Sequence, residues 1–220
     1  PAHVLEVEGV PVFRTGDEGV FFVRRNGAQI CPLVGWQQGF IRIYEGAVYT
    51  YEGCELLLNE DPLNAARLHP LDICRAVQKV IDSHPNSIFA SDGGEIGQWA
   101  QTGVTAQRRI INGVAGSIGS AIPFAIAARV VDPVAPVIAV MGDGTFGFHM
   151  AEIDTAVRYG LPVVMIVGND GRWNAEHQIQ LRSYGADRAH SCSLLATRYD
   201  QVAIALGGYG ELVTSPRELG

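Results

Sequence analysis

The 220-residue chain is 47% hydrophobic and 18% charged, with a formal net charge of −7, the make-up of a globular protein of one or two domains. The acidic balance and the lack of any basic block exclude a nucleic-acid surface, and no apolar run reaches the roughly 18–20 residues of a membrane span. No signal-peptide pattern opens the sequence, and Cys31, Cys54, Cys74 and Cys192 have no CxxC spacing; a soluble protein in a reducing, cytoplasmic setting is expected.

Residues 1–61 read as a short β-rich segment. Runs at 20–24, 28–31, 40–44 and 47–51 are β-type and separated by glycines such as Gly27, Gly35 and Gly46, which predicts an antiparallel meander or hairpins. No clustered ligands or nucleophile mark this segment, and its identity is not legible. Pro62 and His69-Pro70 punctuate a change of pattern, so a domain boundary is expected near residue 61.

From Leu71 the apolar period becomes helical, with Leu71, Cys74, Val77, Val80 and Ile81 on one face. Pro70 or Asp72 marks the start and His84-Pro85 the stop. A short strand over 86–90 runs into Ser91-Asp92-Gly93-Gly94, and a helix over 95–101 follows. Residues 108–111 read as a buried strand, and 112–119 as a second glycine-rich turn. Residues 121–131 are small and apolar nearly all round, which predicts a helix buried against a sheet. Pro133 and Pro136 lead into an apolar strand over 136–141 that ends abruptly in Gly142-Asp143-Gly144. A helix is expected over about 148–159, then a strand over 162–167 that ends in Asn169-Asp170-Gly171.

Beyond it the pattern predicts a helix over 173–182, a polar loop over 183–193 and a helix over 198–206. Tyr199, Val202, Ala203 and Leu206 line one side of the last. An edge strand is expected over 211–213. Ser215-Pro216 has the sequence of a helix start, and the chain reads as truncated there. Alternating strands and helices imply an α/β fold, a parallel sheet with helices on both faces, preceded by the short β-rich segment. Ligands of such sheets bind at the carboxyl ends of the strands. Asp143 and Asn169 sit at two such ends, so a carboxylate and an amide oxygen can converge on one hard cation beside a glycine turn, an arrangement suited to Mg²⁺ holding a diphosphate.

Gly142-Asp143-Gly144, followed after 24 residues by Asn169, resembles the cofactor motif of the thiamine-diphosphate enzymes, the family of acetolactate synthase, benzaldehyde lyase and the 2-oxoacid decarboxylases. Supporting pieces match in order. The run from Gly116 to Pro123 is similar to the loop beneath the thiazolium, the run from Gly147 to Arg158 to the family helix, and Leu161-Pro162 to the lead-in of its next strand. Ser91-Asp92-Gly93-Gly94 resembles the corresponding turn of the lyase branches. The resemblance covers 62–220 and identifies that stretch with the C-terminal, diphosphate-binding (PP) domain.

The resemblance implies that Asp143 and Asn169 ligate Mg²⁺ through side-chain oxygens and Gly171 through its carbonyl. It implies diphosphate contacts at Gly142, Gly144 and Thr145, further contacts at Gly94 and Glu95, and Ile118 as the apolar wedge that keeps the cofactor bent. Since a glutamate side chain facing a diphosphate is repulsive, any contact at Glu95 falls to its backbone. Substrates of this family are small: 2-oxo acids, 2-hydroxy ketones or acyl-CoA thioesters. The cofactor carries the carbon–carbon chemistry, and the protein supplies position and electrostatics. In the family a glutamate on a separate pyrimidine-binding domain activates the cofactor, usually across a homodimer or tetramer interface. No such domain is legible in this sequence, so the isolated chain is expected to be inactive.

His149 and His177 read as hydrogen-bonded rather than catalytic, Asp170 as a structural turn residue, and Trp173, Asn174 and Gln178 as possible pocket walls. The alternative function is a non-catalytic cofactor-binding or assembly module. A different nucleotide-binding domain is disfavoured, because no GxxxxGK[ST] occurs and the one GxGxxG spacing, Gly142, Gly144 and Gly147, is the Gly142-Asp143-Gly144 turn itself.

Overall fold

The computed structural model describes the backbone of residues 19–21, 40–44, 47–50 and 55–56, and residues 68–112 and 116–219 in full. The chain divides into two compact units, Pro1–Ala65 and Ala66–Gly220. In the first, β1 (Gly19–Phe21), β2 (Phe40–Tyr44), β3 (Ala47–Thr50) and β4 (Glu55–Leu56) form one antiparallel sheet in sequential order. The strand expected at 28–31 and the boundary expected near 61 lie outside the described residues.

The second unit begins with α1 (Pro70–Ser83). His69 accepts the N–H of Leu71 through Nδ1, and Asp72 accepts the N–H of His69, so both ends of a capping box are closed. The chain continues as β5 (Ile88–Ser91), α2 (Glu95–Gly103), β6 (Arg108–Ile111), α3 (Ala121–Val131), β7 (Val137–Gly142), α4 (Asp143–Gly147), α5 (Glu152–Arg158), β8 (Val164–Gly168), α6 (Asn174–Tyr184) and α7 (Tyr199–Ala205). The four strands of this unit are all parallel, in the order β6-β5-β7-β8.

Alternation along β5 and β7 divides the core between the two faces of the sheet. Ala90, Ala139 and Met141 pack with Ile122, Ala125 and Ile153 of α3 and α5 on one face. Phe89, Ile138 and Val140 pack with Val77, Ile81, Ile96 and Ala100 of α1 and α2 on the other. From β5 the chain crosses to β6 on one side and later returns to β7 on the other. The strand order therefore reverses between β5 and β7, and the crevice at their carboxyl ends is where such sheets hold ligands.

Four expectations are corrected. Strand β6 is not buried: it is the edge of the sheet, and Arg108 and Ile111 are exposed. Helix α3 buries only the side carrying Ala121, Ile122, Ala125 and Ala128, while Val130 and Val131 are exposed. The helix expected over 148–159 starts earlier and breaks: α4 begins at Asp143, and the N–H groups of Phe148 and His149 bond back three residues, to Thr145 and Phe146, before α5 resumes. Residues 211–213 form no strand, and the segment after Ser215 is a single 3-10 turn, Pro216–Leu219. There Glu218 accepts the N–H groups of Thr214 and Ser215, which satisfies the backbone locally instead of on a sheet edge.

Candidate functional site

Strands β7 and β8 pair in register down to Gly142 opposite Gly168, so Asp143 and Asn169 leave the sheet side by side. Asp143 is 1% exposed. Its Oδ1 accepts the N–H of Gly144 at 2.8 Å, and its Oδ2 is buried with no partner. Burial pushes this carboxyl up, opposed by the backbone of Gly144, Gly171 and Arg172. A buried carboxylate oxygen left unpaired is costly, and a bound cation would satisfy it.

Asn169 donates through Nδ2 to the carbonyl of Thr197 at 2.9 Å, which fixes the orientation of its amide. Gly171 has φ +67°, and its carbonyl accepts the N–H of Leu194 at 2.7 Å; one lone pair is engaged and one is left. Asp170 accepts the N–H of Arg172 and closes the turn, and its carboxyl is raised by partial desolvation and by the Asp143 charge.

Across the crevice, Gly142 donates to the carbonyl of Gly93 at 2.9 Å. The two glycine turns touch: a Cβ on Gly94, whose φ is +80°, would lie 3.0 Å from the Cα of Gly142. A Cβ on Gly93 would meet Ile118 at 2.3 Å and the Thr145 hydroxyl at 2.9 Å, so Ile118 lies over this turn with Thr145 beside it. Thr145 is buried, and its Oγ1 has no partner. Gly144 gives its N–H to Asp143, and the Trp173 ring packs so closely that a Cβ there would sit 2.6 Å from it. A cavity of about 320 Å³ opens beside Asp143 and Gly144, walled by Phe148, Trp173, Leu194 and Tyr199. An unpaired carboxylate oxygen, an unpaired hydroxyl and walls of glycine fit a cation with an anionic ligand. No cluster of three His, Cys, Asp or Glu occurs among the described residues, so the cation reading needs the Asn169 amide.

Residues 92–220 match the family model of the thiamine pyrophosphate enzyme C-terminal TPP-binding domain. The chain belongs to the thiamine pyrophosphate (thiamine diphosphate) enzymes. It is 34% identical over 155 residues to a probable acetolactate synthase of Mycobacterium bovis, covering 69% of this chain and 28% of that protein. It is 34% identical over 157 residues to 2-hydroxyacyl-CoA lyase 2 of Homo sapiens (70% and 24%), and 33% over 172 residues to 2-hydroxyacyl-CoA lyase of Oryza sativa subsp. japonica (75% and 30%). The match thus spans only about a quarter to a third of each of these relatives. No described helix is long and apolar enough to cross a membrane.

In this TPP-binding domain several supporting contacts escape the sequence reading. Asp92, fully buried, accepts the N–H of Gly93 at 2.6 Å through Oδ1. Its Oδ2 accepts the N–H of Ala121 at 2.7 Å and the Ser120 hydroxyl at 3.3 Å. Ser120 makes no side-chain cap of its own, so Asp92 caps α3 from a neighbouring strand. An acidic residue closing an apolar strand is a visible signal, but its partner lies 29 residues on. His149 meets the carbonyl of Gly119 through Nδ1 at 2.7 Å, a hydrogen-bonded histidine that steadies the glycine loop. Tyr199 stacks edge-on to Phe146 at 5.2 Å, and burial followed by the Asp143 charge raises its hydroxyl. The Glu95 side chain accepts from Asn174 on α6.

Proposed function

We propose that Asp143 Oδ2, the Asn169 amide oxygen and the free lone pair of Gly171 hold Mg²⁺, and that the cation with Thr145 anchors the diphosphate of thiamine diphosphate. The observation that carries this is the buried, unpartnered Oδ2 of Asp143 beside Asn169. Two protein oxygens and a carbonyl leave positions for diphosphate oxygens and water on a six-coordinate hard cation. Ile118, lying over the Gly93 turn, presents an apolar surface next to the Thr145 hydroxyl and suits a wedge that sets cofactor shape. When bound, the cofactor supplies the electron sink for carbon–carbon chemistry beside a carbonyl. The chain's own part is to bind, orient and exclude water.

The relatives' names favour a lyase or an acetolactate-synthase-like carboligase, with a decarboxylase a third variant of the same chemistry. The substrate is a 2-oxo acid, a 2-hydroxy ketone or an acyl-CoA thioester. A pyrimidine-binding domain, reached through a homodimer or tetramer in the cytoplasm, completes the site, and the chain without it binds but does not turn over. Calorimetric titration of thiamine diphosphate into the full-length protein carrying this sequence, with and without Mg²⁺, tests the reading. Saturable binding only with the cation supports it; binding that ignores the cation contradicts it.

A further inference from the structure

Helix α6 follows the cation loop directly, and it is held differently from α1, α2 and α3. None of its side chains is buried, and Ile179 and Tyr184 are more than half exposed. The apolar packing that normally fixes a helix is therefore slight here. Trp173, its N-cap, makes no side-chain cap bond. Beyond the Trp173 ring, which packs on Gly144 and edge-on to Phe148, polar contacts do the joining. Asn174, the first helical residue, donates through Nδ2 to Oε2 of Glu95. Gln178, one turn on, donates to Oδ1 of Asn174 at 3.2 Å and fixes that amide's orientation.

Glu95 is the first residue of α2, directly after the Gly93-Gly94 turn. Its bond to Asn174 is charge-assisted, the stronger class of hydrogen bond. The carboxylate also lies at the N-terminal end of α6, where the helix dipole favours negative charge. A glutamate next to a diphosphate site would repel the ligand, and here the carboxylate is engaged by an amide instead.

We propose that Glu95 is a positioning residue: through Asn174 it docks α6 onto the start of α2 and so sets the loop 169–173 for the cation. This rests on the cation reading of Asp143 and Asn169, and adds to it a pair of side chains that touch neither metal nor cofactor.

The test compares wild type with Glu95→Ala, Glu95→Gln, Asn174→Ala and the Glu95→Ala/Asn174→Ala double variant in the full-length protein. Hydrogen exchange of the amides of 169–184 is measured without ligand, and Mg²⁺ affinity is measured at saturating thiamine diphosphate. Both alanine variants are expected to speed exchange across 169–184 and to weaken Mg²⁺ affinity about tenfold. The double variant should lose no more than either single one. Glu95→Gln, which keeps an acceptor oxygen at the same reach, should retain most of the affinity. Unchanged exchange across 169–184, additive losses, or a Gln variant as weak as the Ala variant would overturn the proposal. The exchange arm needs no ligand, so a wild-type protein that fails to bind Mg²⁺ defeats the cation reading separately. If Glu95→Ala does not fold, Asn174→Ala on the polar helix carries the same two readouts.

Discussion

The carboxylate of Asp92 accepts the backbone N–H of Ala121 at 2.7 Å, which ties the turn after β5 to the first residue of α3. One side chain thus ties together two of the glycine loops that face the crevice, since its other oxygen accepts the N–H of Gly93. Removing it leaves one buried and one part-buried donor unmet. Asp92→Ala is expected to lower stability by about 1–3 kcal/mol, read as a lower urea midpoint at unchanged slope. Asp92→Asn, which keeps one acceptor, should lose less.

Ile118 is half-buried and packs on Gly93, so its truncation costs some packing. The larger consequence is expected in turnover. Ile118→Ala should bind thiamine diphosphate within a few-fold of wild type but lose activity by about tenfold or more in the full-length enzyme, because positioning of reacting groups is steeply distance-dependent. Steady-state kinetics beside a binding titration separates the two. A normal rate would make Ile118 plain core.

Acid sensitivity has a specific source at the edge strand. The Arg108 guanidinium meets Asp132 at 2.7 Å and, with the N–H groups of Ala135 and Val134, lowers that carboxyl from 3.8 to about 2. A carboxyl depressed in the folded state favours folding fully above its unfolded pKa, and that contribution fades as pH falls through the folded value. The tie between β6 and the end of α3 should therefore be intact above pH 3.8 and gone below about pH 2. Urea midpoints of wild type and Asp132→Asn should differ at pH 5 and converge toward pH 2. A gap that stays constant over that window would rule out this ion pair as its source.

Much of this site was legible because its chemistry is local in sequence. Gly142-Asp143-Gly144 announces a strand end, a turn and a carboxylate at once, and the period change after Leu71 marks the α/β unit. What stayed hidden depends on contacts between distant segments. Nothing in 108–111 says that its strand is an edge, since burial is decided by which strands pair beside it. The break between α4 and α5 falls where His149 reaches Gly119, 30 residues away. Asp92 reads as a turn residue and Glu95 as a helix start with a diphosphate contact, and their partners Ala121 and Asn174 are visible only once the strand order brings the segments together.

The cation reading of Asp143 is tested most directly by one substitution. Asp143→Asn keeps the side-chain volume and an acceptor for the N–H of Gly144, and removes the buried charge that a cation would neutralise. Calorimetric titration of thiamine diphosphate with Mg²⁺ into this variant should show affinity lowered by a factor of at least about 100, while the ligand-free protein melts within a few degrees of wild type because an unpaired buried charge has gone. Unchanged Mg²⁺-dependent affinity in a folded Asp143→Asn protein would contradict the assignment of Asp143 as the cation's anchor.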